Sequence, residues 1–184
     1  CNSGCLFPKP RQYCCRRYSH DEGLGVTGIM YVAAVFLPLI GSVIAGILAL
    51  ASGIAKPQKR KSIDRSAQFV TIGAMLLSSI AGTVAFIDIV VNGNIGAIKL
   101  WTWVESGSLN FSWELRSDTL SLIMLLMVTW VSSMIHIYSI GYMSHDNAIP
   151  RFMSYLSLFT FFMLMLATSN NLVQLFFGWE GVGL

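Results

Sequence analysis

Four apolar runs, each long enough or nearly long enough to cross a lipid bilayer, decide what this chain can fold into. They extend from about Met30 to Ala55, Phe69 to Val91, Asp118 to Met143 and Phe152 to Thr168. A hydrocarbon core takes ~20 residues of helix to cross. Lipid offers the backbone no hydrogen-bond partner, so each span has to satisfy its own amides and carbonyls as a helix. A fifth run opens at Leu172, after Ser169-Asn170-Asn171, and holds 13 residues to Leu184. At ~1.5 Å per residue that is ~20 Å, which reads as a spanning helix cut short. Charged residues make up 11% of the chain, against about 25% in soluble domains, and mean hydropathy is +0.64. A soluble globular domain is excluded. The net charge of +3 is small and gathered in loops without interleaved aromatics, which argues against nucleic-acid binding.

Small residues and one proline pattern the first span. Gly41-xxx-Ala45 and Ser42-xxx-Gly46 form ridges on which a second helix can approach closely. Pro38 is tolerated in a membrane helix if a neighbour satisfies the carbonyl it leaves free. Between the first two spans, Lys56 to Arg65 carries five basic residues and reads as a polar loop. Ser117 or Asp118 is placed to cap the third span, its side-chain oxygen accepting from the first free amides.

Residues 93–117 follow a different rhythm. Leu109, Phe111, Trp113 and Leu115 alternate with Asn110, Ser112, Glu114 and Arg116, the period of two that marks a strand. Lys99-Leu100-Trp101-Thr102-Trp103-Val104 is β-prone, and Ser106-Gly107-Ser108 supplies a turn. The expected fold is therefore an all-α polytopic membrane protein of four transmembrane helices plus a truncated fifth. A short interfacial β-hairpin joins helices 2 and 3, its tryptophans at headgroup level.

The chain divides into a leader, 1–28, and the helices of 29–184. All four cysteines (Cys1, Cys5, Cys14, Cys15) fall in the leader, and the adjacent pair breaks the spacing of a zinc site. The leader lacks the apolar core and small-residue cleavage site of a signal peptide. Met30 stands where the apolar run begins, so the leader reads as upstream or disordered sequence. Basic residues decide orientation. With the leader set aside, the first and third loops hold six against two in the hairpin loop, which puts Lys56–Arg65 on the cytoplasmic or matrix side and the hairpin outside.

From Phe152 to Leu184 there is one charged side chain, Glu180. A charge at the bilayer centre costs roughly 2.5–3.5 kcal/mol on insertion scales, and an acid kept there by default marks a proton or ion pathway. Gly178, Gly181 and Gly183 leave room beside it for a helix or a file of water. The alternative is a protonated carboxyl tying two helices together. In the third span Thr129, Ser132, Ser133, His136 and Ser139 recur at three- and four-residue spacing and share a face. Such a stripe could line a relay ending at His136, an imidazole that titrates near neutral pH when unperturbed, or it could be interhelical glue. Asp88, near the end of its span, can reach the interface. The sequence holds no phosphate-binding loop, nucleophile elbow or metal-ligand cluster.

Three stretches resemble the N-terminal part of a known family. They are Met30-Tyr31 with Val35-Phe36-Leu37-Pro38-Leu39-Ile40-Gly41; Leu115-Arg116-Ser117-Asp118-Thr119-Leu120 with His136-Ile137-Tyr138-Ser139-Ile140-Gly141-Tyr142-Met143; and the set Arg151-Phe152, Tyr155 to Phe161, Asn171-Leu172-Val173-Gln174 and Gly178-Trp179-Glu180-Gly181-Val182-Gly183. Together they resemble the antiporter-like subunit L of bacterial NADH-quinone oxidoreductase, equivalent to subunit 5 of mitochondrial complex I. The resemblance implies part of a proton-translocating membrane arm that couples quinone reduction to pumping. In it the carboxylate matching Glu180 works with a lysine on a later, broken helix. It also implies that NAD, FMN, iron–sulfur centres and quinone belong to other subunits, and that this chain holds no redox site, cofactor or metal. The implied partners are the lipid bilayer, other membrane subunits of the complex and protons. The implied location is the bacterial inner membrane, with the mitochondrial inner membrane as the alternative. A related family, the large subunit of multi-subunit sodium/proton antiporters, shares a Trp-Glu pair at this place. An inactive membrane fragment is the third reading.

Overall fold

The computed structural model describes residues 26–54, 57–92, 96–106, 109–143 and 148–183. Helices α1 (Val26–Ile54) and α2 (Pro57–Asn92) are followed by strands β1 (Ala97–Ser106) and β2 (Leu109–Arg116), then by α3 (Thr119–Tyr142), α4 (Ile149–Ala167) and α5 (Leu172–Gly183). Four helices are long and apolar enough to cross a membrane: Val26–Gly53, Ser62–Val91, Thr119–Tyr142 and Ile149–Ala167. The fifth is shorter, as expected, and a two-stranded antiparallel hairpin stands between α2 and α3. Of the leader, residues 26–28 form the start of α1; the rest lies outside the described residues.

One boundary differs from the sequence reading. The stretch 57–65, expected as a loop, is the opening of α2. Helix formation does not require an apolar face: Lys, Arg and Gln are good helix formers, and Pro57 at the first position loses only an amide that had no partner there. Lys59, Arg60, Lys61 and Arg65 therefore sit on the first turns of the helix. At α3 the structure chooses between the two candidate caps. The Asp118 carboxylate accepts from the Thr119 amide at 3.1 Å, while the Ser117 hydroxyl donates to the Gly96 carbonyl and ties the two ends of the hairpin together.

Helix α1 packs against α2 and α4, α3 against α2 and α4, and α5 against α4. Tyr31, Ala34, Val35, Ala85, Leu115, Leu122, Leu125 and Leu164 form a core at the hairpin end. Outward, the long helices present Ile47, Leu50, Phe69, Val90, Met127, Met134 and many like them. Exposed apolar surface on this scale marks a surface made for something other than water, and on spans of this length that is lipid. The small-residue ridge is used as the sequence implies. A Cβ on Gly41 would stand 2.9 Å from that of Ala74 on α2. On the α4 side, Ser42 Oγ donates to the Ser154 carbonyl and Ser154 Oγ to the Ser42 carbonyl, each at 2.9 Å.

The carbonyl that Pro38 leaves free is met by a hydroxyl from a neighbouring helix. The proline removes the amide that would have bonded the Ala34 carbonyl. Ser78 Oγ of α2 donates to that carbonyl at 2.5 Å, and Ser157 Oγ of α4 donates to the Pro38 carbonyl at 2.8 Å. Ser78→Ala is expected to destabilise the bundle by about 1 kcal/mol, within the range of interhelical hydrogen bonds in membranes. In a Pro38→Ala background the restored amide makes the loss of Ser78 nearly neutral. A double-mutant cycle on reversible unfolding in mixed micelles measures the coupling; strictly additive effects would refute the substitution of one donor for the other.

Candidate functional site

The hairpin and α5 are built against each other. Asn171 caps α5, its side-chain oxygen accepting from the Val173 amide at 3.3 Å. The amides of Glu114 and Arg116 both point away from β1, along the free edge of β2. The Gln174 side-chain oxygen accepts from the first at 3.3 Å and the Thr168 carbonyl from the second at 2.8 Å. Leu115 forms a bridge with Ser169. The α4–α5 corner thus completes an edge that would otherwise be open. The Tyr31 hydroxyl donates to the Arg116 carbonyl at 2.6 Å, fixing the same strand to α1.

Helix α5 rests on α4 through Gln174 and Gly178, both buried, and through Gly181. A Cβ on Gly178 would lie 2.9 Å from the Leu166 amide nitrogen, and one on Gly181 would lie 2.1 Å from the Phe162 ring. Only glycine fits either place. Glu180 follows Gly178 by two residues, so it stands ~200° around the helix from that contact. It is exposed, and among the described residues no hydrogen bond or ion pair reaches its carboxylate. Its place is ~12 Å along α5 from the hairpin end, at ~1.5 Å per residue.

His136 is the opposite case. It is fully buried, ~26 Å along α3 from the same end. The structure does not bring it and Glu180 together, because α5 packs on α4 at a different level. The hydrogen-bond directions around His136 can be assigned. Nδ1 lies 2.7 Å from the Ser132 carbonyl, which can only accept, so Nδ1 carries the proton. Thr160 donates to the Leu156 carbonyl at 2.9 Å, so in the 2.5 Å contact between Ser132 Oγ and Thr160 Oγ1 Ser132 is the donor. Nε2 is then a bare acceptor, buried and without a partner among the described residues. The rest of the stripe is committed to backbone carbonyls. Thr129 donates to Leu125 at 2.8 Å, Ser133 to Thr129 at 2.7 Å and Ser139 to Ile135 at 2.7 Å. These are bonds within one helix, and they do not link into a continuous file.

Asp88 accepts a hydrogen bond from the Thr27 hydroxyl at the hairpin end of α2. Glu114, which the sequence reading used only for its strand alternation, accepts from Asn170 Nδ2 at 2.7 Å and from the Ser112 hydroxyl. The polar run Asn170-Asn171 followed by Gln174 was the available signal for this cluster. Among the described residues no three His, Cys, Asp or Glu side chains gather to hold a metal ion.

Four spanning helices, lipid-facing apolar flanks and an extramembrane-type hairpin define a multi-pass helical membrane protein. Residues 103–153 match the family described as NADH-ubiquinone oxidoreductase (complex I), chain 5 N-terminus. The chain is 47% identical over 153 residues to NADH-quinone oxidoreductase subunit L of Rickettsia felis, covering 83% of this chain and 22% of that relative. It is 44% identical over 155 residues to NADH-ubiquinone oxidoreductase chain 5 of Dictyostelium discoideum and 42% identical over 155 residues to that of Arabidopsis thaliana, in each case 84% of this chain and 22% of the relative. By sequence, the chain matches the N-terminal region of this family of subunit L and chain 5 proteins of NADH-quinone oxidoreductase. It spans 22% of the length of these curated relatives.

The Ser132–Thr160 contact joins α3 to α4 in the bundle interior. Thr160→Val leaves the Ser132 hydroxyl without its acceptor and is expected to cost about 1 kcal/mol of stability, whereas Thr160→Ser retains most of it. Chemical denaturation of the two variants in detergent discriminates them, and equal stability would mean that the contact contributes nothing.

Proposed function

We propose that this chain is part of the proton-translocating membrane arm of an NADH:quinone oxidoreductase, with Glu180 as its proton-carrying group. The observation that carries the reading is an exposed carboxylate on α5, turned away from the helix that α5 packs on and set in an apolar run, where a charge facing lipid costs kilocalories. Such a group is either neutral or met by a cation or water from beyond these helices. A carboxylate that alternates between those two conditions takes up and gives up a proton, and pairing with a mobile cation is the simplest way to drive the alternation. The matched relatives carry the names of oxidoreductase subunits, which supports a place in that assembly. On this reading the protein sits in a bacterial inner membrane or a mitochondrial one, beside other membrane subunits. Electron transfer through NAD, FMN, iron–sulfur centres and quinone takes place in other subunits. His136, with Ser132, Ser139 and Thr129, is a secondary candidate for a relay, supported by its partnerless Nε2.

Glu180→Gln in the assembled complex is expected to reduce NADH-driven proton pumping to a small fraction of wild type while the complex still assembles. Pumping by reconstituted vesicles, read with a pH-sensitive dye, is the measurement; full activity in a well-assembled variant would remove Glu180 from the mechanism. Transport that depends on sodium and ignores quinone-site inhibitors would move the chain to the antiporter class. For His136→Ala a smaller loss is expected in the same assay, because its neighbours are bonded to backbone and do not continue a path. A loss as large as that of Glu180→Gln would show that the buried imidazole lies on the main route.

A further inference from the structure

On the reading that Glu180 carries the proton step, we propose that the β-hairpin clamps α5 and that Asn170, Gln174 and Trp113 are positioning residues that set the depth and rotation of Glu180. Two features fix where α5 can sit. Its rotation is set by Gly178 and Gly181, pressed on the Leu166 backbone and the Phe162 ring. Its position along its own axis is set at the hairpin: Gln174 accepts from the Glu114 amide and Asn170 donates to the Glu114 carboxylate at 2.7 Å.

An aromatic series ties the two features together. Trp101 stacks on Trp113 at 5.7 Å, Trp113 meets Phe177 edge-on at 5.3 Å, and Phe177 lies 5.6 Å from Phe162. Phe162 is the ring against which Gly181 rests, next to Glu180 in the chain. Rings in such contact hold one another more firmly than apolar burial alone would. The hairpin itself cannot drift, because Tyr31 holds the Arg116 carbonyl from α1 and the Thr168 carbonyl accepts from the Arg116 amide. A rigid helix anchored six residues before Glu180 carries that anchor to the carboxylate. Gln174 is 3% exposed, and its amide nitrogen has no partner among the described residues.

The test places a nitroxide at position 179 through Trp179→Cys in the assembled complex, where that side chain is 66% exposed and adjoins Glu180. The ratio of collisions with dissolved oxygen to collisions with a water-soluble nickel chelate reports its depth. Asn170→Ala and Gln174→Leu are expected to change that ratio at least about twofold, the lower end of the effect expected of residues that couple two sites. Trp113→Ala does the same and Trp113→Phe, which keeps a ring against Phe177, restores it. An unchanged ratio in assembled Asn170→Ala and Gln174→Leu complexes overturns the clamp. The pH profile of pumping in Asn170→Ala shifts if the clamp acts on Glu180. With Glu180→Gln inactive, a changed ratio and an unmoved profile would show the contacts to be structural only, and would overturn the positioning role. If Glu180→Gln pumps normally while the ratio changes, the clamp stands and the assignment of Glu180 falls.

Discussion

In a bilayer no water is available to a backbone carbonyl, and the interior of this bundle is organised around that shortage. Pro38 breaks the hydrogen-bond ladder of α1 at the point where α1, α2 and α4 meet. The break is closed by Ser78 at the Ala34 carbonyl, and Ser157 adds a bond from α4 to the Pro38 carbonyl. The reciprocal Ser42–Ser154 pair closes the next turn of the same seam, and Ser133 reaches the Met75 carbonyl at 3.3 Å from α3. Each of these contacts joins two spans, and that of Ser78 also satisfies the carbonyl that the proline leaves free, a group that is costly to bury without a partner.

The same economy explains why the polar stripe of α3 was ambiguous in the sequence. Residues Thr129, Ser132, Ser133, His136 and Ser139 do share a buried face. Spacing alone cannot tell a file of exchangeable hydroxyls from a set of side chains each occupied by a carbonyl. The structure separates them residue by residue: Thr129 and Ser139 bond within α3, Ser133 also reaches α2, and Ser132 crosses to Thr160. That leaves His136 Nε2 as the one side-chain N or O atom of the stripe with no partner at all among the described residues.

Much of the architecture was legible because periodicity and length report local conformation. The four spans, the break at Ser169-Asn170-Asn171 and the alternation of Leu109 to Arg116 each correspond to an element in place. The register of the hairpin meets at Ser106 and Leu109, where the turn residues fall. Two features were not legible. The helical start of α2 is a polar run, which gives a hydropathy reading nothing to detect. The fastening of β2 to the α4–α5 corner depends on residues about 60 apart in the chain, Glu114 with Asn170 and Gln174. No local pattern encodes that pairing. Glu180 was found because a single acid in an apolar run has an energetic cost wherever it points. Its outward direction was not found, because that follows from which face of α5 carries the glycines.

Rotation and depth are thus governed by separate parts of the chain. The glycine face brings α5 so close to α4 that turning it would drive a side chain into the Leu166 backbone, and this alone keeps Glu180 outward. It does not prevent sliding, because a smooth glycine face offers little resistance along the axis. Resistance comes from directional contacts at the end of the helix, where Asn170 and Gln174 meet an edge strand that Tyr31 also holds. A carboxylate with the role proposed for Glu180 needs both restraints. At low dielectric the Coulomb interaction of a charge with a cation varies steeply with separation, and a displacement of one helical residue would change its reach. A strand pair between the second and third spans, rather than a short loop, supplies an edge rigid enough to impose that position.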